Sequence, residues 1–254
     1  RPPWGSPAMS LGRRRRGGLN PGGGFSPTAF PGLVLWLDAS YITGLNDGDS
    51  VTTWSDLSGN GNNATQATPA ARPVYKVNII NGRPVVRFDA VDDLMSGTFP
   101  TLQANATVVF VGLIVTHAIN ARLFYGRTDA NNYIVLLEGD SGGNIRLRAQ
   151  TNFSATTTSR MGNTNITAGS GFIGSLVFSG GNTIALWVNG VSQTLTSPAN
   201  VGAPAGTAVY SVRTTTALNL LDVAAIAYYN TNISAADLAR LHNYLSTRYA
   251  ITLL

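Results

Sequence analysis

The chain has 254 residues, of which 44% are hydrophobic and only 11% charged, with 17 Lys and Arg against 12 Asp and Glu for a formal charge of +5. So low a charged fraction leaves a surface of Gly, Thr, Asn, Ser and Ala, which argues against long salt-bridged helices and favours strands joined by tight turns. The absence of cysteine excludes disulfide staples, thiolate zinc sites and cysteine nucleophiles, and no run of about 18 apolar residues marks a membrane-spanning helix.

Residues 1–29 are rich in Pro, Gly and Arg and cannot build a core, so they predict an extended arm, ordered only by a partner. The chain begins at Arg1. Either Met9 is a start preceded by foreign residues or an upstream segment has been removed. No apolar stretch of a secretory signal lies in the first 30 residues. Much of the positive charge sits in the run Arg13, Arg14, Arg15 and Arg16. Such a run suits nucleic-acid contact, docking on an acidic protein surface, or a solvated linker. No aromatic or base-reading scaffold accompanies it, and we favour protein docking.

From Phe30 onward, short apolar runs broken by turn residues predict one all-β domain over 30–254, an antiparallel two-sheet sandwich. The strands fall at 33–38, 51–55, 84–89, 106–116, 122–127, 132–138, 144–150, 171–179, 182–189, 208–213 and 220–229. Asn81-Gly82 and Asn189-Gly190 fit turns that need positive φ. One helix is expected, over 235–248. Ser234 with Asp237 forms its capping box, and Leu238, Leu241 and Leu245 form a stripe to pack on the sandwich, flanked by Tyr244 and Tyr249.

Three stretches resemble the laminin-G-like, concanavalin A-like jelly-roll domains of phage structural proteins and bacterial surface proteins. The first is LVLWLDAS at 33–40 with VTTWSDLSGNGNNATQ at 51–66 and GRPVVRFDAVDDLM at 82–95. The others are NTIALWVNGV at 182–191 and AAIAYYNTNISAADLARLHNYLSTRYAI at 224–251. Ala90 and Ala250 stand where that family usually has glycine. The resemblance implies a jelly roll closed by a capped C-terminal helix. It does not fix a function, since the fold hosts lectins, hydrolases and inert modules.

Some relatives of this fold hydrolyse glucans with paired glutamates, but Glu138 is the only glutamate here, and Asp129 and Asp140 sit in turn-like contexts. His117 and His242 have no partner at metal-ligand spacing. Both are expected to be solvated or capped imidazoles. No nucleophile motif appears, so the chain is expected not to be an enzyme. Nor is a metal or cofactor expected. The calcium candidates are Asp56, which opens a run with oxygen side chains at alternate positions, and the adjacent Asp92 and Asp93; Asx-type turns are the favoured reading of both. Trp36, Trp54 and Trp187 alternate with apolar neighbours and are expected in the core, and Trp4 lies in the arm.

A glycan site, if present, is expected in a loop at 125–133, where Tyr125, Arg127, Asp129, Asn131, Asn132 and Tyr133 combine aromatic faces with hydrogen-bonding groups. The function expected is that of a virion accessory protein (capsid decoration, spike or fibre) on a virion surface. It would be anchored to other virion proteins through Arg13–Arg16 and form a homo-oligomer, with a cell-surface glycan as a further partner. The alternative is a secreted or cell-surface bacterial carbohydrate-binding or adhesin module. Neither membrane nor nucleic acid is expected as a partner.

Overall fold

The structure is a computed structural model that describes residues 25–99, 102–103, 105–129, 132–141, 144–153, 156–179, 183–193, 207–213 and 219–254. Within these the strands are, in chain order, β1 (Leu33–Asp38), β2 (Thr53–Trp54), β3 (Ala64–Thr65), β4 (Val74–Ile80), β5 (Arg83–Phe88), β6 (Met95–Phe99), β7 (Ala106–Ile114) and β8 (Arg122–Asp129). They continue as β9 (Asn132–Ser141), β10 (Asn144–Phe153), β11 (Thr156–Met161), β12 (Gly171–Ser179), β13 (Thr183–Val188), β14 (Val191–Ser192), β15 (Ala208–Val212) and β16 (Leu221–Tyr229), before the helix α1 (Ala235–Tyr249). All pairings are antiparallel. The first sheet runs β14-β13-β12-β7-β16-β5-β4, and β1 shares the outer half of one edge of β16 with β5. The second runs β11-β10-β9-β8-β15-β6-β3-β2. Two antiparallel sheets face to face with one terminal helix make the jelly-roll-like sandwich that the sequence predicts.

The two sheets differ in how much they bury. In β7, β12 and β16 no residue is exposed, and alternate side chains serve two separate cores. Val108, Phe110, Leu176, Phe178, Ile226 and Tyr228 point between the sheets. Their neighbours Val109, Val111, Ile173, Val177, Ala225 and Ala227 point outward, under the helix. Hence these strands read as near-continuous apolar runs while β10 alternates. Between the sheets Phe99 stacks on Tyr228 and Tyr210 with centroids 4.6 and 5.5 Å apart, and Trp54 is buried beside them in the same core. Trp187 instead packs on the outer core, and Trp36 makes an edge contact with the exposed Tyr41.

Both predicted Asn-Gly turns have positive φ at both residues, 48° and 82° at Asn81-Gly82 and 47° and 84° at Asn189-Gly190. They close the β4–β5 and β13–β14 hairpins, and a type I′ twist matches that of the flanking strands. Asn81 also donates from Nδ2 to the carbonyls of Tyr249 and Ala250, satisfying acceptors that the end of α1 leaves open.

Helix α1 starts as expected, with Ser234 Oγ accepting the Asp237 amide at 3.1 Å. Leu238, Leu241, Leu245 and Tyr249 are buried, each contributing on the order of 2 kcal/mol by the area they remove from water. Tyr249 is thus part of the stripe. Arg248 pins the helix end to β1 through Asp38 at 3.0 Å; burial opposes its charge, but the Asp38 carboxylate more than offsets this and raises the Arg248 pKa. Residues 25–29, which the sequence assigns to the arm, belong to the folded body. Pro27 is buried in a short 3-10 turn whose carbonyl accepts from Tyr229 at 2.9 Å, and Phe25 packs edge-on against Phe30 and Tyr244.

His242 is not solvated. It is 2% exposed under α1, with Nε2 2.7 Å from Ser175 Oγ on β12. Burial pulls its pKa from 6.5 down to about 4. The unfolded chain therefore binds a proton that the folded one refuses, and stability should fall as pH drops from 6.5 to 4, by about 3 kcal/mol in all. In urea titrations across that window, His242→Gln should flatten the pH dependence; an unchanged slope would mean that the imidazole is not held neutral. A second prediction concerns Ala250, the helix C-cap, which sits in the left-handed region at φ 48°, ψ 41°. Ala250→Gly should stabilise the fold by about 0.5–1 kcal/mol, read as a higher unfolding midpoint, because the Cβ strain exceeds the entropy that glycine adds to the unfolded chain.

Candidate functional site

Strands β8, β9 and β10 carry the outer face of the second sheet. In β10 the sequence alternates, with Ile145, Leu147 and Ala149 buried toward the core and Arg146, Arg148 and Gln150 facing away. β8 departs from simple alternation. Leu123 and Phe124 are both fully buried, and the register against β9 shifts between Arg122 and Phe124. This bulge brings Arg122, Tyr125 and Arg127 onto one face. The register then aligns three rows, Arg122–Leu137–Arg148, Tyr125–Val135–Gln150 and Arg127–Tyr133–Asn152.

At the centre Tyr125 and Tyr133 lie 5.4 Å apart, tilted by 56°. The Arg122 guanidinium lies 4.5 Å over the Tyr125 ring, and that of Arg127 lies 5.8 Å away. Gln150 Nε2 donates to the Tyr133 hydroxyl at 3.0 Å. Arg148 donates from Nη2 to Asn120 Oδ1, while its Nε is buried without an acceptor among the described residues. Burial pulls the Arg148 pKa down. Each planar cation is thus held by a ring or an amide, in an arrangement of aromatic faces and multiple N–H donors.

The expected glycan loop at 125–133 is therefore a hairpin rather than a loop. Tyr125, Arg127 and Tyr133 meet on its outer face. Asp129 pairs with Asn132 in the ladder at the hairpin's end and is exposed. Asn131 lies outside the described residues, as do Arg13–Arg16 and Trp4. The side chains of Asn132, Glu138 and Asp140 are likewise not among those described. Arg122, Arg148, Gln150 and Asn120 were not anticipated. The period-2 alternation of NIRLRAQ carried the signal for the β10 residues, but only the fold shows that this face adjoins Tyr133.

The motif DLSGNGN at 56–62 works as a clamp on β1. Asp56 Oδ1 accepts the amides of Trp36 and Ser58, and Oδ2 accepts the Asn62 amide and the Ser58 hydroxyl. Ser58, Asn60 and Asn62 in turn donate to the Val34 carbonyl, at 3.0, 3.2 and 2.8 Å. β1 pairs with β16 on one edge only, and the loop satisfies backbone groups of the other. Both Asp56 oxygens are occupied in an Asx-type turn.

Asp92 and Asp93 meet Asp89, with carboxylate oxygens all within 4.8 Å. Three aspartates this close are a possible ligand set for a cation. Here Asp89 accepts the amides of Val91, Asp92 and Asp93, Asp93 accepts that of Asp89, and the buried Arg213 lies 3.6 Å from Asp89. Burial raises the Asp93 pKa; it also works on Asp89, where the three amides prevail and lower it. Arg213 supplies the countercharge, and we assign no metal to the group. His117 is exposed, and among the described residues no helix is long and apolar enough to cross a membrane. A separate cavity of about 260 Å³ opens beside β2, lined by Tyr41, Ser50, Thr52 and Trp54 among others.

No known family profile and no curated protein matches the sequence. Solved structures do. The binding domain of Paraclostridial Mosquitocidal Protein 1 aligns with a TM-score of 0.62 at 12% identity, over 84% of this chain and 52% of that one. Domain 4 of AbnA, a GH43 extracellular arabinanase from Geobacillus stearothermophilus solved with arabinotriose, aligns with a TM-score of 0.56 at 16% identity, over 83% of this chain and 98% of the domain. The ligand binding domain of botulinum neurotoxin serotype D, solved with N-acetylneuraminic acid, gives 0.60 at 11%, over 84% and 50%. The chain spans about half the length of the two toxin domains. At these identities the likeness is one of fold.

Proposed function

We propose that the protein is a non-enzymatic carbohydrate-binding β-sandwich whose site is the outer face of β8–β10. The observation that carries this is the Tyr125–Tyr133 pair framed by Arg122, Arg127 and Gln150. Tyr133, half-buried against the buried Tyr125, sets an aromatic ring beside fixed hydrogen-bond donors, which is what a sugar needs, since its C–H faces pack on rings while its hydroxyls take directed bonds. Two similar folds support the reading, one solved with arabinotriose and the other with N-acetylneuraminic acid. No metal enters it, so binding is expected to persist in EDTA. On a glycan array followed by titration calorimetry, Tyr133→Ala and Gln150→Ala should each weaken the bound glycan at least tenfold with the fold intact. Binding unchanged in both variants would move the site elsewhere.

We further propose that the module is displayed outside a cell, on a virion, with the N-terminal arm as its tether and a homo-oligomer as its form. The resemblance to phage structural proteins and the run Arg13–Arg16 support this, as does the way residues 25–29 fasten the arm's end to the sandwich beside α1. A cell-surface or secreted module is the alternative. Deleting residues 1–24 should abolish attachment to particles while leaving the melting temperature within about 2 °C, because that deletion removes none of the buried residues described above. Retained attachment would count against the tether.

A further inference from the structure

The described arginines differ in the partners they meet. Four of those elsewhere in the fold meet carboxylates: Arg87 grips Asp222 with two bonds of 2.7 Å, Arg248 holds Asp38, Arg213 lies against Asp89 and Arg240 against Asp237, while Arg72 and Arg83 donate to backbone carbonyls. On the outer face of the second sheet Arg122, Arg127, Arg146 and Arg148 stand on neighbouring strands, and among the described residues none of them meets a carboxylate. Arg146 and Arg148 reach only the neutral amide oxygens of Asn165 and Asn120. The Arg122 and Arg127 guanidiniums lie over the Tyr125 ring.

Like charges gathered on one face repel one another, and a half-buried guanidinium whose Nε has no acceptor among the described residues loses hydration without compensation. Stacking on a ring occupies the flat face of a guanidinium and leaves its in-plane N–H fork free, the geometry that takes a carboxylate or sulfate by two parallel bonds. The rows set by the register put Arg122 and Arg148 two strands apart, about 10 Å, with Tyr125 and Tyr133 in the adjoining rows. One oligosaccharide can therefore span both cations while one of its rings lies by Tyr133.

We infer that the ligand of this face is an acidic saccharide, bearing carboxylate or sulfate groups that the guanidiniums of Arg122, Arg127 and Arg148, which meet no carboxylate among the described residues, receive. This rests on the carbohydrate-binding reading above and names the class of sugar. Nucleic acid is disfavoured because successive bases need successive open rings, and Tyr125, 7% exposed beneath the arginines, leaves Tyr133 as the open ring of the pair.

The test is calorimetric titration of the full chain with tetragalacturonate and its methyl ester, and with a chondroitin sulfate tetrasaccharide and its desulfated form. At least one acidic probe should bind tenfold or more tighter than its neutral counterpart. Arg122→Gln/Arg127→Gln should abolish that preference with the far-ultraviolet circular dichroism unchanged, and Arg122→Gln/Arg127→Lys should restore part of it. Neutral forms binding as tightly as acidic ones would overturn the inference and leave the carbohydrate reading standing. No binding of any glycan, on the array or in titration, would overturn both. Oligouridylate bound as tightly as the acidic sugars would overturn it in favour of a general polyanion surface.

Discussion

The architecture depends on the cover that α1 lays over the outer face of the first sheet. A sheet whose central strands are apolar on both sides cannot stand with one face in water, and β7, β12 and β16 are of that kind. Leu238, Leu241, Leu245 and Tyr249 meet Val109, Val111, Ile173 and Val177 there. Small residues in the contact, Ser175, Ala225 and Ala227, let the helix approach closely. One polar pair, Ser175 with His242, is admitted because each satisfies the other. Around this cover the chain adds fasteners at its margins: Arg248 to Asp38 at one end, Asn81 on the last carbonyls, and Phe25 with Pro27 along the side.

With the first sheet covered, the second is left with the free face. Its inner side supplies Phe99, Phe124 and Tyr210 to the core, and its outer side is bare of any helix among the described residues. The division of labour follows from that asymmetry. Polar and aromatic side chains on β8–β10 are supported from below by a packed core and need no loop to hold them, which gives a rigid platform whose donors are positioned before any ligand arrives. The bulge at Arg122–Phe124 is a local expense of regular pairing that aims two arginines at one ring.

The motifs behind the family resemblance prove to be fastenings. DLSGNGN closes the open edge of β1, and the aspartates of FDAVDD form a turn neutralised by Arg213. Their recurrence in a family would follow from edge protection and turn geometry, both independent of ligand, and the candidate binding residues lie on other strands. The stretches that carry the fold resemblance are thus distinct from the candidate site, so the fold can be recognised while the ligand is not.

The sequence by itself determined the strands whose apolar pattern is strong, the two Asn-Gly turns and the capped helix, because local geometry and burial pattern coincide there. It left out β4, β6 and β11, and the two-residue strands β3 and β14. In β6 the inward position between Met95 and Phe99 is Gly97, since a Cβ there would lie 2.6 Å from the Tyr210 ring, so packing across the sheet removed the apolar residue that alternation would have shown. β4 interrupts its pattern at Lys76 and Asn78, and TTTSRM of β11 carries hardly any apolar signal. It also missed that His242 is buried, because helical spacing places the residue beside the leucine stripe without showing how wide the covered strip is. Tyr125, Arg127 and Tyr133 were legible as a cluster because a hairpin keeps them near in sequence. Only the tertiary structure brought in Arg148 and Gln150 from the next strand, through a register fixed by the core beneath, and only it showed which of the described arginines meet a carboxylate.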